Sequence, residues 1–326
     1  MKKFPLLFTM IILVMMIAVG CGTKSVENSS ASTETTKDST TDTSASENKE
    51  VTVTHLLGET TVKVNPEKVV VFDFGMLDSL DKLGVEVTGV PQANIPPYLS
   101  KFEDSNYENV GSLKEPDFEK IAEIEPDLII ISGRQQDSYE ELTKIGPTIY
   151  MGLDTSKYIE SFKDNQTTLG KIFNKEAEVE KEIAAIETSI QALHEKASSN
   201  ESNGLIVLAN EGNISAYGPG SRFGLIHDVF GLEAADEQIE VSTHGQNVSF
   251  EYIAEKNPDY LFVIDRGAAV GGESSAKELI ENELVFDTNA YKNDNIVYLD
   301  PNFWYLSGGG LVSVSEMIKE IENGLN

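Results

Sequence analysis

Three arginines stand out in an acidic chain as candidates for binding an anion. The 326 residues include 25 Lys or Arg and 54 Asp or Glu, a formal charge of −29, yet only Arg134, Arg222 and Arg266 are arginine. Arg is the side chain that suits a rigid, permanently charged fork in a partly desolvated pocket, whereas Lys serves equally well on a solvated surface. We therefore expect an anion-binding cleft, the alternative being ordinary ion pairs with nearby carboxylates.

An internal repeat relates two of these arginines. Residues 118–131 and 250–263 share Phe, Glu, Ile, Ala, Glu, Pro and Asp in register, at an offset of 132 residues. Arg134 and Arg266 have that same offset, and each follows a strand predicted to be buried. Because open α/β sheets bind ligands beyond the carboxyl ends of their strands, both arginines are predicted at such an edge. Arg222 follows a glycine-rich turn and is predicted to open a helix, a favourable place for an anion.

Two further side chains, His244 and Tyr305, are candidate ferric ligands. His244 lies in a polar turn before the second repeat copy, and Tyr305 follows the predicted strand at 296–299. Imidazole and phenolate both bind ferric iron. The alternative is structural, with the histidine capping a turn and the tyrosine filling an apolar rim.

The sequence pattern predicts that two α/β lobes position these residues. Short apolar runs alternate with helical stretches, which indicates sheets of mainly parallel strands covered by helices. A repeat of 132 residues is too long for a solenoid and indicates two similar lobes. We predict an N-terminal lobe at 51–155, a single linking helix at 156–174 and a C-terminal lobe at 175–326, with little rotation between the lobes.

The first fifty residues have a separate organisation. Residues 1–20 combine a basic start with an apolar run typical of a secretory signal, and Cys21 follows directly. The segment Ala18-Val19-Gly20-Cys21 resembles a bacterial lipobox, in which the cysteine is diacylated, although Leu is usual where Ala18 stands. Residues 21–50 are rich in Ser and Thr and are predicted to be a flexible tether. The alternative is an uncleaved membrane anchor with an incidental cysteine.

The combination of these features resembles the siderophore-binding lipoproteins of ABC iron importers, and within them the petrobactin-type catecholate-binding proteins. The resemblance rests on the lipobox, the repeated Phe-Glu-x-Ile-Ala-Glu-x-x-Pro-Asp, the linking helix and the segments around residues 220–231, 242–246, 257–266 and 304–311. It implies a helix-linked binding-protein fold and a ferric catecholate as transported ligand, with no permanent cofactor.

The resemblance also implies residue roles. The family's ligand-binding arginine triad corresponds to Arg134, Arg222 and Arg266. Its two iron ligands, which fill the coordination positions that a tetradentate siderophore leaves open, correspond to His244 and Tyr305. The residues that would dock on the permease are Glu119 and Glu251, which are repeat equivalents. Without the resemblance, each is interpreted as an ordinary carboxylate that is favoured near a helix N-terminus. The implied partners are a permease and its ATPase, for a monomeric protein anchored through Cys21 on the outer face of the cell membrane.

Other functions remain open at this point. The negative charge disfavours nucleic acid. No nucleophile elbow, Walker sequence or His-Glu-x-x-His motif supports a secreted α/β enzyme. Other cargo, namely haem, cobalamin or a hydroxamate siderophore, is the main alternative, whereas four scattered histidines fit a free-metal binder poorly.

Overall fold

The first lobe is built on a five-stranded parallel sheet. The computed structural model describes residues 49–199, 201–272 and 275–325, so the predicted signal, Cys21 and the tether up to residue 48 lie outside the described residues. The strand order is β5-β4-β3-β6-β7. An antiparallel hairpin, β1–β2, precedes this sheet. The elements of this lobe are β1 (Glu50–His55), β2 (Gly58–Lys63), β3 (Val69–Val71), α1 (Phe74–Lys82), β4 (Gly89–Val90), β5 (Glu108–Asn109), α2 (Phe118–Ile124), β6 (Leu128–Ile131), α3 (Tyr139–Leu142) and β7 (Thr148–Tyr150).

Two helices follow β7, and the second lobe begins after them. The helices are α4 (Tyr158–Phe173) and α5 (Glu176–Ser198). The second lobe contains β8 (Asn203–Asn210), β9 (Asn213–Tyr217), α6 (Leu225–Asp228), β10 (Glu233–Ala234), β11 (Gln246–Val248), α7 (Phe250–Lys256), β12 (Tyr260–Asp265), α8 (Arg266–Val270), α9 (Ala276–Ile280), α10 (Glu283–Phe286), α11 (Asn289–Lys292), β13 (Ile296–Leu299) and α12 (Leu311–Gly324).

The second sheet is mixed. Its order is β11-β9-β8-β12-β13, with β10 beside β8. Strands β8, β12 and β13 are parallel, as predicted, and β10 is parallel to β8, whereas β9 pairs antiparallel with both of its neighbours, β8 and β11. The antiparallel pairing arises at a two-residue turn, where Glu211 and Gly212 both have positive φ and turn the chain straight back from β8 into β9. The two-lobed α/β fold predicted from the sequence is confirmed.

The aspartate of the repeated Pro-Asp makes equivalent hydrogen bonds in both lobes. In the first, the carboxylate of Asp127 accepts hydrogen bonds from the backbone N–H of Glu67 and Lys68, just before β3. In the second, Asp259 accepts one from the N–H of Asn203, at the start of β8. Each aspartate therefore pins its strand to the beginning of the neighbouring one. The carboxyl ends of those strands, where Arg134 and Arg266 follow, are thereby set in equivalent registers.

Helix α4 packs into both lobes. Its first turns place Tyr158 and Phe162 in the apolar core of the second lobe, whereas Leu169 and Ile172 belong to the core of the first. The apolar residues recur on one face at helical spacing, so burial rather than intrinsic propensity stabilises the helix. Helix α5 follows at once, after Asn174 ends α4 in the left-handed conformation. It is 23 residues long and packs against both α4 and α12.

A buried carboxylate joins the two lobes at the start of α12. Asp78 of α1 is fully buried and accepts hydrogen bonds from the backbone N–H of Val312, at 3.2 Å, and of Ser313, at 3.0 Å. Tyr98 donates a third, at 3.1 Å. A Cβ at Gly310 would overlap the carboxylate of Asp78, so only glycine permits this approach. A helix of the first lobe thus caps the last helix of the second.

Candidate functional site

The three arginines converge on one residue, Tyr305. Arg134 and Arg222 each donate through Nη2 to its backbone carbonyl oxygen, at 2.8 and 2.6 Å. Arg266 donates through Nε to its phenol oxygen, at 3.0 Å. The guanidinium of Arg222 also lies 4.4 Å from the centre of the Tyr305 ring. Four of the five predicted ligand-binding residues are therefore in direct contact.

Each arginine lies where a strand or turn delivers it to the cleft. Arg134 is in a 3₁₀ turn, Gly133–Ser138, immediately after β6, and Arg266 is the first residue of α8, immediately after β12. These positions agree with the expectation for both. Arg222 differs from the expectation, because α6 begins only at Leu225 and has four residues. Arg222 belongs to the preceding turn, so it enters the site through its own side chain and not as part of a helix N-terminus.

The charges of the cluster act on one another. Burial lowers the pKa of Arg222, and the charge of Arg134 lowers it further. For Tyr305, burial opposes ionisation, but the hydrogen bond from Arg266 and the charges of all three arginines outweigh it and hold the pKa of the phenol below its usual value. A site that lowers the pKa of a phenol stabilises negative charge on oxygen, and it favours other oxyanions for the same reason. The cluster is therefore suited to an anionic ligand rich in oxygen donors.

A small cavity lies beside the cluster. It has a volume of about 180 Å³, and its lining includes Asp73, Arg134, Tyr158, Arg222 and Trp304. The hydroxyl of Tyr158 is buried and has no hydrogen-bond partner among the described residues. Buried hydroxyls are normally paired, so this group is available to a bound molecule or to water.

The structure does not bring His244 to the cluster. His244 is exposed in a turn, and it is not among the described residues that line the cavity. The next residue, Gly245, packs so closely on the Tyr217 ring that a Cβ there would lie 2.7 Å from it. The ring of Tyr217 in turn contacts Phe223, the neighbour of Arg222, so the turn that carries His244 is connected to the cluster through these two rings. The role of His244 in coordinating iron stays a prediction.

Glu119 and Glu251 occupy matching surface positions. Each is exposed in the first turn of its helix, α2 or α7. Each helix begins at the carboxyl edge of its sheet and leads into the strand after which an arginine follows, β6 for α2 and β12 for α7. The two glutamates thus lie at the same edge of the two sheets as Arg134 and Arg266. This placement suits a protein facing the mouth of the cleft, but the docking role stays a prediction.

The sequence interpretation missed two residues that support the site. Asn210, the last residue of β8, accepts a hydrogen bond from Arg266 Nη1 at 2.7 Å. The pairing of Ala209 with Asp265 puts the residues that follow side by side, so the strand register would have indicated it. Glu320 of α12 accepts from the indole N–H of Trp304 at 2.6 Å. Only a three-dimensional structure brings these two together, because 16 residues and a chain reversal separate them.

Neither a resident metal cluster nor a membrane-crossing helix is found in the described part of the chain. No group of three or more His, Cys, Asp or Glu side chains in residues 49–199, 201–272 and 275–325 is arranged to hold a metal ion. Over the same residues, none of the helices has the length and apolar character needed to span a bilayer. The site offers arginines and tyrosine hydroxyls, which is a donor set for a ligand carrying its own oxygens.

Two lobes with a cationic cleft between them define a class of binding proteins, and the sequence comparison agrees. The family of periplasmic binding proteins matches residues 16–303, so the chain belongs to that family. Over its whole length it is 54% identical to the petrobactin-binding protein YclQ of Bacillus subtilis, covering 99% of that protein. It is 31% identical over 280 residues to the ferric-anguibactin-binding protein FatB of Vibrio anguillarum, covering 84% of this chain and 87% of the relative.

The fold comparison gives the same result. The crystal structure of YclQ from Bacillus subtilis superposes with a TM-score of 0.84 at 57% identity, covering 85% of this chain and 99% of that one. These findings confirm the resemblance to siderophore-binding components of iron importers and the predicted fold. The relatives named are binding proteins and not enzymes, which agrees with the interpretation of the sequence.

Proposed function

We propose that the protein is a surface receptor that binds a ferric catecholate siderophore of the petrobactin type in the cleft between its lobes. The observation that carries the proposal is the convergence of Arg134, Arg222 and Arg266 on the oxygens of Tyr305. A ferric catecholate is a compact, largely aromatic body with several negative charges. Its oxygens would take over the guanidinium hydrogen bonds that Tyr305 now accepts, and the similarity to YclQ supports this choice of ligand.

The shape of the cleft supports a ligand that is only partly enclosed. The cavity of about 180 Å³ is smaller than the several hundred cubic ångströms common in sites that enclose a whole ligand. The ligand would therefore seat its iron-bearing head among the arginines and leave the rest in the open mouth. Recognition then depends mainly on the charged head. We infer that ferric hydroxamates, haem and cobalamin, which lack this compact negative charge, bind more weakly.

The transport role is the second part of the proposal. The receptor delivers its ligand to an ABC permease, which is driven by an ATPase, and Glu119 and Glu251 form the docking contacts. It acts as a monomer anchored on the outer face of the cell membrane by a lipid on Cys21. The exposed, matching positions of the two glutamates support the docking contacts. The resemblance of residues 18–21 to a lipobox supports the anchor.

Fluorescence of the only tryptophan tests the ligand class. Trp304 lines the cavity and is adjacent to Tyr305, so a bound iron complex will quench its emission. We expect saturable quenching by ferric catecholates at much lower concentration than by ferric hydroxamates or haem. The Arg222→Ala variant, which keeps Trp304, is the matched control and should need far more catecholate. Tighter binding of haem or a hydroxamate than of any catecholate would refute the proposal.

A further inference from the structure

We propose that Glu320 is the positioning residue of the ligand cleft, because its carboxylate fixes the segment that carries Tyr305 and so sets the geometry of the three arginines. The inference rests on the proposed function and extends it to a residue outside the cavity. Glu320 lies in α12 and touches none of the arginines in the hydrogen bonds described above. It acts through Trp304 and Tyr305.

The carboxylate holds both ends of a short loop. One oxygen, Oε1, accepts from the backbone N–H of Asp300 at 3.1 Å, directly after β13. The other, Oε2, accepts from the indole N–H of Trp304 at 2.6 Å. Two donors four residues apart are thus bound to one carboxylate on a helix whose apolar face is buried. The loop between them has little freedom to shift relative to α12.

Further hydrogen bonds fix the loop between the two groups that Glu320 holds. The backbone carbonyl of Asp300 accepts from the N–H of Phe303 and of Trp304, each at 3.1 Å. Its side chain accepts from the N–H of Asn302 at 2.9 Å. The segment Asn302–Leu306 completes a single π-helical turn, a rare conformation that is frequent at functional sites. Tyr305 is inside this turn, so its position is set by the loop.

The positions of the three arginine side chains depend on the position of Tyr305. The carbonyl of Tyr305 is the shared acceptor for Arg134 and Arg222, and its phenol oxygen is the acceptor for Arg266. Three guanidinium groups that repel one another need such acceptors to stay close together. Displacing Tyr305 by even a fraction of an ångström changes all three hydrogen bonds at once. Glu320 therefore controls how well the cluster is organised before the ligand arrives.

The ionised form of Glu320 is the one that suits this task. Two N–H donors need two acceptor oxygens, and a protonated carboxyl turns one of its oxygens into a donor. Burial raises the pKa of Glu320 to about 7, against its hydrogen bonds from Trp304 and Asp300. The charges of Asp300, in the loop, and Glu316, one turn earlier in α12, raise it further. Both forms are then populated near neutral pH.

The first measurement compares Glu320→Gln with Glu316→Gln. Both variants remove one negative charge from α12, but Glu316 pairs with Lys319 at 2.6 Å and does not hold the loop. We expect Glu320→Gln to bind ferric catecholate about 10-fold more weakly, which corresponds to the loss of one charge-assisted hydrogen bond. Glu316→Gln should stay within about twofold of the wild type, by the small effect of surface ion pairs. Equal affinity of Glu320→Gln and the wild type would overturn the proposal.

The second measurement separates positioning from a general loss of stability. The emission of Trp304 in the unliganded wild type should change between pH 6 and pH 8, because its indole N–H binds the titrating carboxylate. Glu320→Gln should lack that transition, and Glu316→Gln should keep it at somewhat lower pH. The ratio of the affinities of the wild type and Glu320→Gln should also approach one as the pH falls below 6, whatever the ligand's own pH dependence.

The two proposals fail in different ways. If the wild type binds no ferric catecholate, the proposed function is wrong, and the Trp304 titration still reports on Glu320. If the wild type binds but its Trp304 emission is constant with pH, or Glu320→Gln keeps a 10-fold loss at every pH, the positioning role is wrong and the proposed function stands.

Discussion

Arg134 in the first lobe donates a hydrogen bond to the backbone oxygen of Tyr305 in the second, at 2.8 Å. The contact joins the two lobes at the arginine cluster. Since Tyr305 also binds an arginine from its own lobe through the same oxygen, the guanidinium groups of both lobes share one acceptor. A ligand that replaces this acceptor meets a cluster that is already assembled.

Replacing any of the three arginines with alanine should weaken ferric catecholate binding by about 10- to 100-fold. A hydrogen bond to a charged group contributes roughly 1.5–3 kcal/mol, which corresponds to that range. Because the three share Tyr305, double variants should lose less than the sum of the single losses. Fluorescence titration measures the effect. Lys163→Ala, which removes a cation that pairs with Glu187 away from the cleft, is the control and should change little.

His244→Ala and Tyr305→Phe should discriminate between ligand types. A hexadentate siderophore fills the iron shell, so both variants should bind it within a few-fold of the wild type. A tetradentate siderophore leaves two positions open, and both variants should bind it much more weakly. For Tyr305→Phe, the visible spectrum of the bound complex should also lose a tyrosinate–iron contribution. Equal losses for both ligand types would show that neither side chain coordinates the metal.

Replacing Glu119 and Glu251 together with alanine should abolish uptake while ligand affinity in vitro stays unchanged. Both are exposed, and neither is among the described residues that line the cavity, so no binding contact is lost. The control is Glu123→Ala with Glu255→Ala, a second pair of repeat equivalents on the same two helices. Uptake of labelled ferric siderophore by cells measures the effect. A parallel fall in affinity would instead assign Glu119 and Glu251 to the fold or the pocket.

The junction at Asp78 should make stability depend on pH. Burial raises the pKa of Asp78 from 3.8 to about 7, although hydrogen bonds from Ser313, Val312 and Tyr98 oppose the shift. Between these values the folded protein keeps a proton that the unfolded chain has released. The free energy of unfolding should therefore fall as the pH rises from about 4 to about 7, by at most about 4 kcal/mol.

Asp78→Asn provides the comparison, because it mimics the protonated carboxyl and does not titrate. Denaturant unfolding at pH 5 and at pH 8 measures both proteins, and other titrating groups cancel in the difference. The wild type should lose stability relative to Asp78→Asn at the higher pH. A difference that is constant with pH would show that Asp78 stays ionised throughout this range.

Cys21→Ala should release the protein from the membrane or leave an unprocessed precursor, because the thiol is the only cysteine available for diacylation. Membrane fractionation and the mass of the mature protein measure this. Ala18→Leu, which restores the usual lipobox residue, should be processed at least as well as the wild type. Unchanged membrane retention and mature mass in Cys21→Ala would contradict the lipid anchor.

The architecture and the arginines could be predicted from the sequence because the signals are local or repeated. The offset of 132 residues relates Asp127 to Asp259 and Arg134 to Arg266, and buried strands are visible as short apolar runs. The antiparallel β9 could not be predicted in the same way. It depends on a two-residue turn at Glu211 and Gly212 that has no counterpart in the first lobe.

Asp78 and Glu320 could not be predicted, since they act across long stretches of chain. Asp78 lies in an amphipathic helix and reads as a surface carboxylate, yet it is fully buried because α12 packs over it. Glu320 likewise reads as part of a charged helix face. Whether such a carboxylate is solvated or buried against backbone N–H groups depends on helix packing. Local pattern does not contain that information.

The shared helix α4 and the capped junction at Asp78 have a consequence for how empty and loaded receptors compete for the transporter. Lobes tied at both places cannot swing far apart, so the spacing of Glu119 and Glu251 would be nearly the same with and without cargo. An importer that recognises that spacing would accept empty receptors as readily as loaded ones. Uptake would then slow when empty copies outnumber loaded ones, and cells that make too much of the protein in iron-poor surroundings would gain nothing from the excess.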